Sequence, residues 1–354
     1  MDKIKILIVS PCQGGYGGIE AFVLAVAAAV RRDPEFDVRI CLKRTNGAKF
    51  QPNLKTMLKG EDVIVCDRAD SDLVNAIRWA DLVHLLKVPP DVVVLAKFFR
   101  KPLALTIPHY MRGGLSARRI LWRIGAKLAD ERWYNSQFVW DTWEPNQKRP
   151  NSRKVPAVSD LAEGWTAPEQ RHGFVFVSRW IANKGIDTLV DAYAMANLDR
   201  EKWPLVMMGD GPLRSLLEYA IKKRQIEGIQ ILGFVDEATK TTQIQNARWM
   251  VVAPNTNEHL GLTAMEARHL GVPCIITRIG GLPEAGGKQA LVCEPDDPKA
   301  LATLLEQTAR MSEVEYAERA ERTREELATQ LEPIEFYAQS YRRILHRDSV
   351  HQPK

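Results

Sequence analysis

The sequence predicts an α/β protein of two domains, each a doubly wound parallel sheet, facing each other across a cleft. Three observations predict it. Short Val/Ile/Leu-rich runs alternate with longer segments of helical period from Lys3 onward. The alternation restarts after a polar stretch rich in Pro and Gly, "RKVPAVSDLAEGWTAPEQRHG". The 354 residues, 45% of them apolar, suffice for two cores of ordinary size.

In the first series the strands are "KIKILIVSP", "DVRICLKR", "EDVIVCD", "DLVHLLK", "KPLALTIPH" and "ERWYNS", each followed by a helix or a connecting loop. The second series runs "GFVFVSR", "PLVMMGDG", "IQILGFV", "WMVVAP", "PCIITR" and "ALVCEP", and after Asp297 the pattern is helical throughout. The boundary falls near Glu163, giving domains at 1–162 and 163–331 and a closing helix at 332–348. No residue-level repeat links the two series, so they are two similar folds and not a solenoid.

Composition narrows the function. The longest apolar run, Ala21 to Val30, is about half of the roughly 20 residues that a membrane-spanning helix needs. "MDKIKILIVS" lacks the apolar core and small-residue cleavage site of a secretory signal, and a cytoplasmic protein is expected. Five scattered cysteines without a CxxC suggest neither a disulfide framework nor a zinc site. Residues 1–165 hold 26 Lys and Arg against 18 Asp and Glu, whereas the remainder holds 23 against 26. The first half is therefore the better candidate to meet an anionic partner.

In open α/β sheets ligands bind beyond the carboxyl ends of the strands, so the informative residues lie where strands end and helices begin. "WMVVAP" ends at Pro254, and the helix "GLTAMEARHL" follows. The N–H groups of Gly261, Leu262 and Thr263 at its start would be unpaired, an anion site fit for a diphosphate. Glu266 interrupts the apolar stripe of Leu262 and Leu270, and a buried carboxylate needs donors such as vicinal ribose hydroxyls. Glu258, beside the same anion site, would be repelled by phosphates unless it held hydroxyl donors, as a sugar on that diphosphate supplies. The plain alternative makes Glu258 a solvated loop residue and Glu266 an ion-pair partner.

Arg179 closes the strand "FVFVSR" and Lys184 opens the next helix, where cations oppose the helix dipole unless an anion is shared between them. "SPCQGGYGGIEAF" brings Gly17 and Gly18 to the first strand end, where backbone can approach a ligand closely. Its spacing is not GxGxxG, and no GxxxxGK[ST] occurs, which disfavours dinucleotide dehydrogenases and P-loop enzymes. His109, at another strand end, can serve a substrate hydroxyl, carry a proton or be structural. His84, inside an apolar strand, reads as a core histidine. Asp70-Ser71-Asp72 matches the DxD of metal-dependent transferases but precedes the helix "LVNAIRWA", where such residues act as N-caps. No metal is expected.

Taken in order, Arg179, "NKG" at Lys184, "GDGP" at Gly209, "LGFV" at Leu232, and Pro254 followed by Glu258 and Glu266 resemble the family 4 retaining glycosyltransferases of the GT-B fold. The resemblance covers roughly residues 174–305; the first half fits more loosely through Gly17, Gly18, Glu20, His84 and His109. It implies two Rossmann-like domains and transfer from a nucleoside-diphosphate sugar to a carbohydrate or lipid-linked acceptor, in cell-envelope polysaccharide, lipopolysaccharide or glycolipid synthesis. Neither metal nor other cofactor would be needed. By that resemblance Arg179 and Lys184 clamp the diphosphate, Glu258 holds the donor sugar, and Glu266 the ribose. Phe234 and Val235 border the base, and His109 contacts the sugar near the reacting carbon. The resemblance also implies a final helix that crosses back to the first domain. Leu260, His259 and "EARHLG" depart from the family's common residues. A same-fold epimerase or phosphorylase, or a silent nucleotide-sugar scaffold, are the competing readings.

Residues 112–127 set Arg112, Arg118, Arg119, Arg123 and Lys127 beside Leu115, Ile120, Leu121, Trp122 and Ile124. Such a segment is either a basic amphipathic helix on an anionic membrane or a surface helix with its apolar side in the core. Nucleic acid is not expected, because these cations lie on no recognisable binding fold.

Overall fold

The computed structural model describes residues 3–351 apart from 16, 46, 68, 69, 115 and 157–160, and omits the side chains of 53, 57 and 348–351. The chain divides into two compact units, Met1–Asp160 with Glu332–Lys354, and Leu161–Leu331.

Unit 1 begins β1 (Ile4–Cys12), α1 (Gly18–Arg31), β2 (Phe36–Arg44), α2 (Pro52–Met57), β3 (Val63–Cys66), α3 (Ser71–Trp79) and β4 (Leu82–Leu86). It continues α4 (Pro90–Phe98), β5 (Leu103–Ile107), α5 (Ala117–Lys127), β6 (Glu131–Tyr134), α6 (Gln137–Trp143) and β7 (Ser152–Lys154). All strands pair in parallel in the order β3-β2-β1-β4-β5-β6-β7. Alternate residues of β1 feed opposite layers: Ile6 and Ile8 pack with Phe22 and Val26 of α1, Leu7 and Val9 with Leu73 and Ile77 of α3. The short edge strand β7, "SRK", carries no apolar alternation and is not anticipated by the sequence pattern.

Unit 2 comprises β8 (His172–Val177), α7 (Ile186–Met195), β9 (Leu205–Met208), α8 (Arg214–Lys223), β10 (Ile229–Gly233), α9 (Glu237–Asn246) and β11 (Ala247–Val252). Then come α10 (Leu262–His269), β12 (Cys274–Thr277), α11 (Leu282–Gly286), β13 (Leu291–Cys293), α12 (Pro298–Ala309) and α13 (Glu313–Ala328). Its parallel sheet is ordered β10-β9-β8-β11-β12-β13. One layer of its core joins Phe174, Phe176, Trp249 and Val251 to Leu189 and Tyr193 of α7 and Leu305 of α12.

The last helix, α14 (Phe336–His351), belongs to unit 1. Phe336, Tyr337, Tyr341 and Ile344 enter the same layer as β1 and α1. His84 of β4 lies within that layer, wholly buried, with Nδ1 2.8 Å from the Tyr341 hydroxyl and Nε2 2.8 Å from Thr106 Oγ1. Burial drives its pKa down to about 3, so it is a neutral core histidine, as its apolar strand predicts.

Asp70 is the N-cap of α3 and accepts from the Asp72 amide, so this DxD caps a helix. All five cysteines are free and buried. Among the described residues no helix is long and apolar enough to cross a membrane. On α5, Trp122 and Ala126 pack with the core, whereas Ile120, Leu121 and Ile124 are about half exposed, so only part of the helix's apolar set turns inward; Leu115 lies outside the described residues.

Candidate active site

Each sheet has one place where successive connections leave in opposite directions: between β8 and β11 in unit 2, and between β1 and β4 in unit 1. A crevice forms there at the carboxyl ends of the strands.

In unit 2 the loop after β8 carries Arg179 and then a single 3-10 turn, Ala182–Lys184, so Lys184 precedes α7 and does not start it. The loop after β11 carries Glu258. Lys184 Nζ donates to Glu258 Oε2 at 2.6 Å, each side chain being 22% exposed. Glu258 is thus an ion-pair partner and not a solvated loop residue. An ammonium has three donors, so Lys184 can hold this carboxylate and still meet an anion. Arg179 is exposed, and its guanidinium makes no ion pair or hydrogen bond among the described residues.

The Glu258 backbone is held from behind, where Gly281 N donates to its carbonyl at 2.8 Å. Neighbouring Gly280 has φ +57°, and a Cβ there would collide with the same carbonyl oxygen. The "IGG" of residues 279–281 therefore fixes where Glu258 stands.

Gly261, the N-cap of α10, has φ +101°, and a Cβ on it would lie 2.6 Å from Leu282 Cδ1. The first turn closes with Ala264 N and Met265 N on the Gly261 carbonyl. The amides of Gly261, Leu262 and Thr263 are left without intrahelical acceptors, the arrangement that favours an anion.

Glu266, one turn along, shares its charge unequally. Oε1 accepts from Lys240 Nζ of α9 at 3.2 Å, while Oε2 is buried and has no hydrogen-bond partner among the described residues. Burial pushes the Glu266 pKa up, with Lys240 opposing. Burial acts against the charge on Lys240 too, but Glu266 and Glu237 outweigh it and raise its pKa. An unmatched acceptor in such a place calls for a hydroxyl or amide donor. Phe234, just past β10, is 84% exposed, with Val235 half-buried beside it.

In unit 1, Gly17 is the extended N-cap of α1 and Gly18 its first residue. Glu20, in the first turn, is pushed up in pKa by burial, with a hydrogen bond from the Cys12 thiol and the charge of Lys87 working the other way. Lys87, at the end of β4, has φ +63° and a pKa lowered by burial against the pull of Glu20. A bulky residue in left-handed backbone at a sheet crevice marks a position worth testing for function. His109 is half-buried, edge-on to Trp122 of α5 at 5.8 Å and to Trp143 of α6 at 6.1 Å. Its carbonyl accepts from Trp143 Nε1 at 2.8 Å, so two helices fix the ring's position.

The fold thus pairs Lys184 with Glu258 and puts Glu266 on the same short segment; Arg179 and Phe234 face solvent, and Gly17, Gly18 and His109 belong to unit 1. Sequence reasoning misses Lys240 and Lys87. Lys240 lies on a polar helix with no distinguishing pattern, and only pairing across 26 positions reveals it. Lys87 carried one available signal, its place at a strand end.

Residues 159–326 match the family model for glycosyl transferases group 1, which spans nearly all of unit 2. Among curated proteins, the N-acetyl-alpha-D-glucosaminyl L-malate synthase of Bacillus anthracis is 26% identical over 178 residues, 49% of this chain and 45% of that protein. The GDP-mannose-dependent alpha-(1-6)-phosphatidylinositol dimannoside mannosyltransferase of Mycobacterium tuberculosis is 29% identical over 147 residues, 40% and 36% of the two chains. The chain spans less than half the length of the curated relatives it matches. Solved structures match along nine-tenths of the chain or more. HepE of Anabaena in complex with UDP superposes with a TM-score of 0.79 at 17% identity, covering 97% of this chain and 100% of that one. The apo lipopolysaccharide outer core galactosyltransferase WaaB superposes at 0.65 with 15% identity, covering 90% and 95%. The two-domain α/β architecture with parallel sheets is that of GT-B glycosyltransferases.

Proposed function

We propose, from a second unit that carries a glycosyl transferases group 1 domain, that the protein moves a sugar from a nucleoside-diphosphate sugar to an acceptor hydroxyl. The observation that carries this reading is the junction of β8 and β11. There the Lys184–Glu258 pair, exposed Arg179 and the open amides of α10 stand with the unmatched oxygen of Glu266.

In this reading Arg179, Lys184 and the amides of Gly261, Leu262 and Thr263 receive the diphosphate. Negative charge grows on the leaving nucleoside diphosphate as the glycosidic bond breaks, and preorganised cations and helix amides lower that barrier. Glu258, anchored by Lys184 and by the Gly280–Gly281 backbone, accepts from the donor sugar's hydroxyls. Glu266 Oε2 accepts from a ribose hydroxyl, which supplies its missing donor. Phe234 and Val235 border the base. His109 contacts the sugar near its anomeric carbon. The reaction retains anomeric configuration, as the resemblance to family 4 implies, and uses no metal.

The acceptor is a carbohydrate or lipid-linked sugar of the cell envelope. Relatives named for a phosphatidylinositol dimannoside and for O-antigen chains support that class. Such an acceptor suits a protein on the cytoplasmic side whose residues 112–127 touch an anionic membrane. Relatives are variously named for GDP-mannose and bound to UDP, so the donor base is left to experiment.

Thermal-shift titration with UDP, GDP, ADP, dTDP and their sugar conjugates, with and without EDTA, tests the reading. A ligand at 100 times its Kd stabilises by about 2.7 kcal/mol. A shift from one nucleotide that survives EDTA and is lost in Lys184→Ala and Glu266→Ala supports it; no shift, or one that requires a divalent ion, overturns it.

A further inference from the structure

Two features of α5 meet at one place. Ile120, Ile124 and Leu128 recur every fourth residue and, with Leu121, are 46% to 51% exposed, a run of large apolar side chains left open to solvent. A cavity of about 270 Å³ adjoins the helix, lined by Ile120, Arg123, Ile124, Lys127, Trp143 and Arg149. Its three cations carry little internal compensation. Arg123 reaches only the Thr142 carbonyl, at 3.4 Å, and Lys127 and Arg149 make no side-chain hydrogen bond or ion pair among the described residues.

Glu144, also on the wall, is already committed. Its Oε1 accepts from Tyr134 and Ser152 at 3.0 and 2.8 Å, and its Oε2 from Trp140 Nε1 and the Arg149 amide, both at 2.9 Å. The remaining arginines of α5 are occupied elsewhere. Arg119 folds back on the carbonyls of Gly113 and Gly114, and Arg118 lies 4.4 Å over the Trp122 ring. The cavity is therefore a cationic recess whose rim is apolar.

We infer that this recess receives the phosphate headgroup of an anionic phospholipid in a bilayer. Arg123, Lys127 and Arg149 surround the phosphate, and Ile120, Leu121, Ile124 and Leu128 enter the boundary of the acyl chains. An interfacial helix needs both halves, since apolar area and charge attraction add and neither alone holds a protein at a membrane firmly. A phosphodiester carries a single negative charge, so three cations around one recess exceed it and can each donate a charge-assisted hydrogen bond to its oxygens. The inference deepens the membrane contact proposed above and rests on it; the transfer chemistry is independent of it.

The test is sedimentation of the full chain with vesicles of phosphatidylcholine alone or phosphatidylcholine mixed with phosphatidylglycerol. Three variants are compared: Ile120→Ser/Ile124→Ser, Arg123→Gln/Lys127→Gln/Arg149→Gln, and Arg310→Gln/Arg322→Gln, exposed cations of unit 2 outside the proposed membrane-facing segment. All alter exposed or half-exposed side chains, and a melting curve checks that each folds. The expected result is binding to the mixed vesicles alone, weakened about five-fold per recess cation removed. The apolar pair should weaken it as well, while the third variant should retain most of it. Equal binding to both vesicles overturns the inference, as does equal loss in the two arginine-containing variants, which would indicate diffuse charge. Glycerol phosphate added without lipid distinguishes a soluble phosphate ligand: if it raises the melting temperature and abolishes sedimentation at low concentration, a free phosphate compound is the occupant and the bilayer assignment fails. The nucleotide titration is run on the same variants. A normal nucleotide shift with no vesicle binding refutes the docking site alone; vesicle binding with no nucleotide shift refutes the transferase reading alone.

Discussion

Lys184 and Glu258, 74 residues apart in sequence, meet at 2.6 Å where β8 and β11 end side by side. Neither side chain is fully solvated, so removing one leaves the other's charge partly desolvated. Lys184→Met and Glu258→Gln should each weaken donor-nucleotide binding ten-fold or more, about 1.4 kcal/mol. The double variant should cost less than the sum of the two, with a coupling of about 0.5–3 kcal/mol. Calorimetric titration of the four proteins measures it; strict additivity would show the pair to be incidental.

Gly280→Ala should act on the site at a distance. Its added methyl collides with the Glu258 carbonyl, and its φ of +57° disfavours any side chain. A loss of about 1–3 kcal/mol in stability is expected, with a fall in turnover resembling that of Glu258→Gln. Unimpaired turnover would mean that the 279–281 segment does not set the carboxylate's position.

The raised pKa of Glu266 makes donor binding depend on pH. Above its folded pKa the carboxylate is charged and Oε2 is unmatched, so ionisation on folding opposes stability. Because the folded state holds the proton more tightly, the apo protein should lose stability as pH rises from the ordinary carboxylate range through the folded value, and level off beyond it. A ligand hydroxyl on Oε2 favours the charged form, so affinity should rise through the same window. Glu266→Gln should flatten both profiles; an unchanged binding profile would remove Glu266 from the site.

His84 gives the opposite sign. Its folded pKa of about 3 lies below the usual 6.5, so the unfolded chain binds the extra proton. Its contribution is complete above pH 6.5 and falls on acidification toward pH 3, by up to about 1.4 kcal/mol per unit. Urea melts between pH 7 and 5 should show this slope, and Tyr341→Phe, which removes one of its two partners, should lower stability at neutral pH by about 1–3 kcal/mol.

Tyr341 also tests the last helix. Tyr341→Ala should cost about 3–5 kcal/mol, as aromatic-to-alanine changes in cores do, and deletion from Phe336 should abolish cooperative melting of unit 1. Its layer joins Phe336, Tyr337 and Ile344 to β1 and α1. A truncated chain with an unchanged melt would show that α14 is dispensable to that core.

Periodicity alone determined much of this protein. Strands buried on both faces need continuous Val, Ile and Leu, so β1, β4, β5, β11 and β12 are legible as apolar runs, and helices appear between them. Capping at Asp70 and the core place of His84 were readable because both follow from immediate neighbours. Strand β7 was not, since three polar residues at a sheet edge carry no alternation. Candidate residues at strand ends were legible because a doubly wound sheet must open its crevice there. Tertiary structure alone decided which charges meet: Glu258 with Lys184, and Glu266 with Lys240 on one oxygen and, among the described residues, no partner on the other. It also decided that Ile120, Leu121 and Ile124 face solvent, although their spacing equally suits a core. The physical reason is the same in both cases. Local pattern is set by backbone geometry over a few residues, whereas charge pairing and burial depend on which distant segments the fold brings alongside.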